Sequence, residues 1–331
     1  MLRDLTDEDV RAGRLADRDA AEEMVERAAG ETLRAFLARL HGEVVGALTA
    51  SARLPRGLSP AMVTLGQVSR WWEDEVDGRL MDRVREAWAA GRAATVEGDA
   101  APPARSADAA ADYLARVRDR LSTEADPPIP DQAMQTVREA LAEEQARGAS
   151  VRTMTDRLGA ELRWEGEDAP FWRGRLGEVN DELDLALDRH GPPGSSARDA
   201  ARRGGVDARV DELQRQRSAA VRRLDADRSR WQVRSERIAR TEAGGAWNAG
   251  AEQAYAEEGV AVHVWVATHD GDTRDDHAEA HGQCVPVGEP FVVGGEQLAF
   301  PGDPSASAEN VVNCRCTTVG GDDCADWAGQ L

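Results

Sequence analysis

The chain has 331 residues and a formal net charge of −20, and all of its 41 basic residues are arginines. A surface this acidic repels nucleic acid, which excludes a protein that coats DNA over most of its surface. No apolar run approaches the roughly 18 residues of a membrane-spanning helix, and the N-terminus lacks the charged-then-apolar pattern of a signal peptide. We therefore expect a protein that is made in the cytosol and does not contact a membrane.

Residues 1–95 have the spacing of two helices. The apolar residues between Leu33 and Leu48 recur every three or four positions, which places them on one helix face. Leu54–Gly57 interrupts this pattern, and a second series with the same spacing runs from Leu65 to Trp88. The simplest interpretation is a pair of antiparallel helices. Residues 96–130 are then predicted to be a linker that contains one short helix.

Residues 131–230 are predicted to be helical and to contain an αα-hairpin over about residues 164–230. Two apolar series flank the sequence Gly191–Gly194, whose two prolines and two glycines predict a turn between the limbs. We interpret this hairpin as a projecting arm.

The second limb of the hairpin begins the one basic stretch of the chain. Between Arg198 and Arg240 there are 13 arginines and 7 acidic residues. The favoured interpretation is a solvated helix face with ion pairs between residues four apart. The alternative is a local contact with DNA or an acidic partner, for which the candidate residues are Arg222, Arg223, Arg228 and Arg230.

The periodicity changes from helical to alternating after Gly259. Val262–Thr268 alternates and is rich in β-branched residues, which predicts a strand. Shorter strands are predicted at Cys284–Val287, Phe291–Val293 and Cys316–Val319. The predicted fold class is α+β: a long helical N-terminal region with a helical hairpin arm is followed by a small mixed α/β C-terminal domain at residues 231–320. Residues 321–331 are predicted to be a tail.

All four cysteines lie in the last 48 residues, so this segment is predicted to be a separate chemical unit. In a cytosolic protein a metal site or free thiols are favoured over disulfides. Ligands of the types that zinc prefers are present at His281, Cys284, Cys314 and Cys316. We predict that these four converge on a structural zinc and that Cys324 is free. The alternative is that the cysteines are free or disulfide-paired.

The last hundred residues also carry a series of short motifs. The motif residues, in chain order, are Arg237, Arg240, Thr241, Glu242, Trp265, Asp270, Asp272, Thr273, Arg274, His277, Gly282, Asn313, Cys314, Arg315 and Cys316. An Ala-Arg-Thr-Glu helix, a Trp strand, an Asp-x-x-Thr-Arg-x-x-His segment, a glycine and a Cys-Arg-Cys triplet, in this order, resemble the Mu F-like phage head-morphogenesis family. The resemblance covers about residues 131–320, and the hairpin at about 164–230 looks like an insertion within it.

The resemblance implies a structural minor head protein of a tailed virus rather than an enzyme. Such a protein is expected in the virion, at the portal vertex or the capsid interior, after assembly in the host cytoplasm. The implied partners are the portal protein or the major capsid protein, with packaged DNA as a further partner through the basic limb. The implied roles are head assembly and DNA packaging or ejection.

An enzyme is the alternative, namely a metal-dependent hydrolase or a nucleotide-modifying enzyme built on the His/Cys cluster. The sequence His277-Ala278-Glu279 before a cysteine pair partly matches the zinc deaminases, but Asn313 stands where their motif has proline. The favoured interpretation of the motif is therefore a structural one.

The arginines and the first histidine of the motif are expected to hold the loops of the C-terminal domain in place. Arg237 or Arg240 is predicted to anchor Asp270 or Asp272, because guanidinium groups make planar, two-pronged contacts with carboxylates. His277 is predicted to be hydrogen-bonded to one of the same two aspartates.

Overall fold

The computed structural model describes residues 7–51, 63–95, 104–121, 128–166, 168–188, 197–268 and 271–327. Its elements are α1 (Asp7–Ser51), α2 (Leu65–Glu75), a π-helical segment (Val76–Leu80), α3 (Met81–Ala93), α4 (Ala104–Asp119), α5 (Ile129–Ala146), α6 (Val151–Glu161), α7 (Ala169–Asp188), α8 (Ala197–Ala226), α9 (Arg230–Glu258), β1 (Val262–Val266), α10 (Asp275–Glu279), β2 (Cys284–Pro286), β3 (Phe291–Val293), β4 (Glu296–Leu298), α11 (Ala308–Val311), β5 (Thr317–Gly321) and a 3₁₀ turn (Cys324–Asp326). The predicted α+β class is confirmed. No helix within these ranges is long and apolar enough to cross a bilayer.

The chain forms two compact units. One unit is Met1–Leu162 together with Arg234–Leu331, and the other is Arg163–Val233. The domain boundaries predicted from the sequence stay a prediction.

The two apolar series of residues 33–88 lie on α1 and on α2, the π segment and α3. Leu33, Leu37 and Leu40 are fully buried on α1. Trp72 of α2 packs edge-on against Phe36 with ring centroids 5.4 Å apart. Each such buried side chain contributes about 1.5–3 kcal/mol of hydrophobic free energy. The predicted break at Leu54–Gly57 lies outside the described residues.

Helices α3 and α9 approach each other so closely that only glycine fits at the crossing. A Cβ atom on Gly91 would lie 2.1 Å from the Trp247 carbonyl oxygen, and one on Gly250 would lie 2.0 Å from the Trp88 carbonyl oxygen. This contact fixes the position of α9, and α9 in turn carries the residues that hold the C-terminal domain.

The unit Arg163–Val233 contains α7 and α8, which pack lengthwise against each other. Its apolar core is small and consists of Val179, Ala186 and Leu213. Polar contacts also join the two helices, including Arg209 with Glu182 and Arg175 with Gln216. The turn predicted at Gly191–Gly194 lies outside the described residues.

The C-terminal domain contains two small antiparallel sheets. Strand β1 is central in the first sheet, with β2 on one side and β5 on the other, and β3 pairs with β4 in the second. The observed strand β1 ends at Val266 and β5 runs from Thr317 to Gly321, so the predicted strands are displaced at their ends by a few residues. Strand β4 was not predicted, because three residues between turns show no periodicity.

Candidate functional site

Asn248 of α9 connects this helix to the loops around the small sheets. Its Nδ2 donates to the carbonyl oxygens of Pro301 (2.9 Å) and Cys316 (3.0 Å), and its Oδ1 accepts from the Thr317 hydroxyl (3.0 Å). Because Asn248 is buried, these bonds satisfy main-chain groups that irregular loops leave without sheet partners. Asn248 was not predicted as a site residue. The available signal was a single amide side chain inside an Ala/Gly-rich helical stretch.

Thr241 of the Ala-Arg-Thr-Glu motif fastens α9 to the chain just before the cysteine pair. Its hydroxyl donates to the Arg237 carbonyl (2.7 Å) and accepts from the Asn313 main-chain N–H (3.0 Å). Asn313 has a φ of 58°, a left-handed conformation in which asparagine is enriched among non-glycine residues. Both motif residues therefore have a structural role.

Glu242 of the same motif is buried and forms an ion pair with Arg120 (2.5 Å). Burial raises the pKa of Glu242 above its ordinary value, and the Arg120 guanidinium opposes that shift. Removing one partner of such a pair leaves a buried charge without compensation. The pair therefore fixes the position of residue 120 against α9.

The structure gives Arg240 a partner on α1 that was not predicted from the sequence. The Arg240 Nε donates to Glu22 of α1 (3.1 Å), because this face of α9 packs against the N-terminal helix. Asp272 is almost fully exposed, and the cation beside it is Arg315, at 3.9 Å. Asp270 lies outside the described residues, so its predicted contacts with the arginines and with His277 are not described.

The loop between β1 and β2 is held by motif residues that bind main-chain carbonyl oxygens. The Thr273 hydroxyl donates to the Thr268 carbonyl, and the Arg274 guanidinium donates to the Val312 carbonyl. Gly282 has a φ of 77° and its N–H donates to the Trp265 carbonyl (2.9 Å). Glycine adopts this left-handed conformation at no steric cost.

His277, Cys314 and Cys316 form a compact buried cluster. The His277 Nδ1 lies 3.3 Å from the Cys316 Sγ and 3.7 Å from the Cys314 Sγ. The three side chains are at most 5% exposed. The Trp265 ring stands edge-to-face against the imidazole, with ring centroids 5.7 Å apart. The Nδ1 faces sulfur and the buried Nε2 has no hydrogen-bond partner among the described residues, so the predicted hydrogen bond from His277 to Asp272 is wrong.

The two thiols of this cluster have opposite pKa shifts. A hydrogen bond with the Cys316 thiol, and a smaller contribution from His277, lower the pKa of Cys314 well below its ordinary value. The same hydrogen bond, together with burial, raises the pKa of Cys316.

The predicted set of four zinc ligands does not come together in the structure. Cys314 and Cys316 are adjacent, but the histidine beside them is His277, whereas the His281 Nδ1 accepts a hydrogen bond from the Ala267 N–H (3.1 Å). Cys284 forms a disulfide with Cys324, so the prediction that Cys324 is free is wrong. Strands β2 and β5 flank β1, and Cys324 lies three residues after the end of β5, which brings it close to Cys284 of β2.

A cavity of about 460 Å³ lies beside the Ala-Arg-Thr-Glu motif. Its mostly apolar lining includes the polar residues Arg120, Arg234, Arg237, Thr241, Glu242 and Ser307. No histidine or cysteine lines this cavity. The His/Cys cluster and this cavity are therefore separate features.

The four candidate DNA-contact arginines are all exposed, on α8, the connection that follows it and the first residue of α9: Arg222, Arg223, Arg228 and Arg230. The Arg223 guanidinium lies 5.8 Å from the centre of the Trp172 ring, and the Arg230 guanidinium lies 5.5 Å from that of Trp231. The unit Arg163–Val233 contains 14 arginines and 14 acidic residues, so its formal charge is zero. The basic stretch is thus balanced by acidic residues of the same unit.

The fixed main-chain contacts of these motif residues define a small structural domain attached to a helical framework. Residues 197–319 match the family described as "Phage Mu protein F like protein". The match includes every motif residue from Arg237 to Cys316, and it confirms the resemblance to the Mu F-like phage proteins. Phage Mu F-like proteins are generally structural proteins of phage head morphogenesis.

A shorter similarity links the chain to "NAD(+)--arginine ADP-ribosyltransferase EFV" of Enterococcus faecalis (strain ATCC 700802 / V583). The two sequences are 38% identical over 87 residues, which cover 25% of this chain and 18% of that protein. The chain thus spans less than a fifth of the length of this relative, and the named activity belongs to the relative. No solved structure matches the chain.

Proposed function

We propose that this chain is a structural minor head protein of a tailed virus. It attaches to the portal protein or the major capsid protein, at the portal vertex or the inner face of the capsid, and it acts in head assembly and in DNA packaging or ejection. The observation that carries this proposal is the use of the motif residues. The motif residues Thr241 and Arg274, together with Asn248 on the same helix as Thr241, bind main-chain groups of residues 301–316. A motif used in this way specifies a rigid fold, which suits an assembly component better than a catalyst.

Exposed apolar residues on α7 support the hairpin as the surface that contacts another head protein. Phe171 is 66% exposed, Leu185 is 56% exposed and Leu187 is 48% exposed. A head protein that covers these residues would remove their apolar surface from water.

The charge distribution restricts any contact with packaged DNA. The unit Arg163–Val233 is formally neutral, so the net charge of −20 belongs to the rest of the chain. A DNA contact in this protein is therefore local to Arg222, Arg223, Arg228 and Arg230, and it depends on a partner that holds the protein beside the DNA.

Binding to the isolated head proteins tests this function. The portal protein and the major capsid protein of the same virus are each mixed with the chain, and complexes are isolated by co-sedimentation. We expect the wild-type chain to bind one of them, and the double variant Phe171→Ser and Leu185→Ser to bind roughly tenfold more weakly or worse, as for the loss of central apolar contacts. The matched control is Val292→Ser, which removes an equally exposed apolar residue (55%) from β3.

The control variant is expected to bind like the wild type. Wild-type protein that binds neither head protein would contradict the proposed function. Equal loss of binding in the control and in the α7 variant would contradict the assignment of the contact to α7.

A further inference from the structure

We propose that His277, Cys314 and Cys316 bind a single Zn²⁺ ion at the centre of the C-terminal domain. This ligand set differs from the one expected from the sequence, since it contains His277 in place of His281 and lacks Cys284. A metal site needs several histidine, cysteine or acidic side chains close together. Among the described residues, His277, Cys314 and Cys316 meet this condition, since their possible ligand atoms all lie within 4.8 Å of one another.

The distances between the donor atoms suit a tetrahedral zinc ion. Bonds of about 2.3 Å to sulfur and about 2.0–2.1 Å to nitrogen imply nitrogen–sulfur edges of about 3.6 Å. The His277 Nδ1 lies 3.3 Å from one Sγ and 3.7 Å from the other. Binding of the ion therefore requires shifts of a few tenths of an ångström. Three protein ligands leave the fourth position to a water molecule.

The main chain around the cysteine pair is held in place by contacts from three directions. The Arg18 guanidinium of α1 donates to the carbonyl oxygens of Arg315 and Cys316. The Thr268 hydroxyl donates to the Arg315 carbonyl (2.9 Å), and Asn248 donates to that of Cys316. Ligands that are fixed before the ion arrives lose less conformational entropy on binding.

The charges also balance in a buried site. Zn²⁺ displaces the protons of the Cys314 and Cys316 thiols, and two H⁺ leave to solvent while two Zn–S bonds form. The two thiolates and the ion are then neutral together, so no net charge is buried. The His277 Nδ1 supplies its lone pair, which places the ring proton on Nε2. The ligands are at most 5% exposed and do not line the cavity beside α9, so the ion lies in the core of the domain.

Zinc content of the whole chain tests the site. The protein is produced in zinc-supplemented medium and purified without chelator, and bound metal is measured by inductively coupled plasma mass spectrometry. We expect about one zinc per chain in the wild type, and a roughly tenfold or larger loss in His277→Gln, Cys314→Ser and Cys316→Ser. The matched controls, His281→Gln and Cys324→Ser, are expected to keep one zinc, because these residues contact other groups.

A second measurement uses only the wild type, in case the cysteine variants do not fold. Native mass spectrometry should show the mass of one Zn²⁺ less two protons, and dialysis against a chelator should remove this added mass. The proposal is overturned by wild-type protein that holds no zinc and takes none up from added zinc sulfate. Loss of zinc in the His281→Gln control, or its retention in the folded Cys314→Ser variant, would also overturn it.

Discussion

The arm unit Arg163–Val233 and the C-terminal domain are held together in different ways. In the arm, two helices share a small apolar core and several exposed ion pairs, such as Arg215 with Glu212. In the C-terminal domain, strands of three to five residues are fixed by buried polar side chains that reach far along the chain, such as Asn248. A single substitution in the arm therefore removes a small part of its stability, whereas one in the domain leaves several buried groups without partners.

The largest effect is expected from Asn248→Leu. This change removes three hydrogen bonds at once. The Cys316 carbonyl keeps its contact with Arg18, whereas the Pro301 carbonyl and the Thr317 hydroxyl lose a partner. At about 1–3 kcal/mol for each of these two groups, the free energy of unfolding should fall by about 2–6 kcal/mol. Chemical denaturation followed by tryptophan fluorescence measures this loss. The matched control is Asn180→Leu in the arm. The Asn180 side-chain oxygen accepts a hydrogen bond from the exposed Arg217, so its loss should lower the free energy of unfolding by about 1 kcal/mol or less.

The crossing of α3 and α9 should be the next most sensitive point. Gly91→Ala places a methyl group 2.1 Å from the Trp247 carbonyl oxygen, so the helices must separate. We expect a loss of about 1–3 kcal/mol or more, measured by thermal unfolding. The control, Gly46→Ala in α1, meets no atom within 4 Å and should gain about 0.5–1 kcal/mol from the lower entropy of the unfolded chain. Equal effects at both glycines would disprove the close crossing.

Two carboxylates of the larger unit, Glu242 and Glu296, should make the stability of the protein depend on pH in opposite directions. Burial raises the pKa of Glu242, so the folded state holds its proton more tightly than the unfolded state does, and stability falls as the pH rises above about 4.5. The hydrogen bond from the Ser307 main-chain N–H (2.9 Å) lowers the pKa of Glu296. Its contribution is present above pH 4.5 and is lost as the pH falls below that value.

Thermal unfolding between about pH 3 and pH 7 compares Glu242→Gln with Glu296→Gln. The difference from wild type should change in opposite directions for the two variants. Curves that run parallel for both variants would contradict the burial assigned to Glu242.

The smallest effect is expected from the arm arginines. Changing Arg222, Arg223, Arg228 and Arg230 to Ser should lower the salt dependence of DNA association by about one unit of slope for each phosphate contact that is lost. The control changes Arg83 and Arg85, which are exposed on α3 and paired within their own helix, and it should leave the slope unchanged. Fluorescence anisotropy over a range of salt concentrations measures both. Because the arm is neutral overall, an unchanged slope would assign these arginines to solvated ion pairs alone.

The parts of the fold that depend on local periodicity could be predicted from the sequence. The buried face of α1 follows the spacing of Leu33 to Val44, and β1 begins at Val262, where the predicted strand begins. Contacts between distant residues could not be predicted in the same way. Arg240 pairs with Glu22, which lies 218 positions away, and no local pattern indicates that partner.

The histidine beside the cysteine pair could not be predicted from the sequence either, although the two candidates lie only one helical turn apart. His277 and His281 are four residues apart, so helical spacing places both on one side and cannot decide which imidazole faces the thiols. The structure decides it because α10 ends at Glu279 and His281 lies in the turn that follows. Cys284 and Cys324 are 40 positions apart and meet only because β2 and β5 flank the same strand.

The composition of purified heads tests the structural role most directly. Heads are isolated from host cells that produce the complete set of virus proteins, and their components are quantified by mass spectrometry. The account predicts that the chain is present in a fixed ratio to the portal protein and that this ratio falls in the α7 double variant, Phe171→Ser and Leu185→Ser. Heads that assemble in normal yield and fill with DNA, yet contain none of this chain, would contradict it.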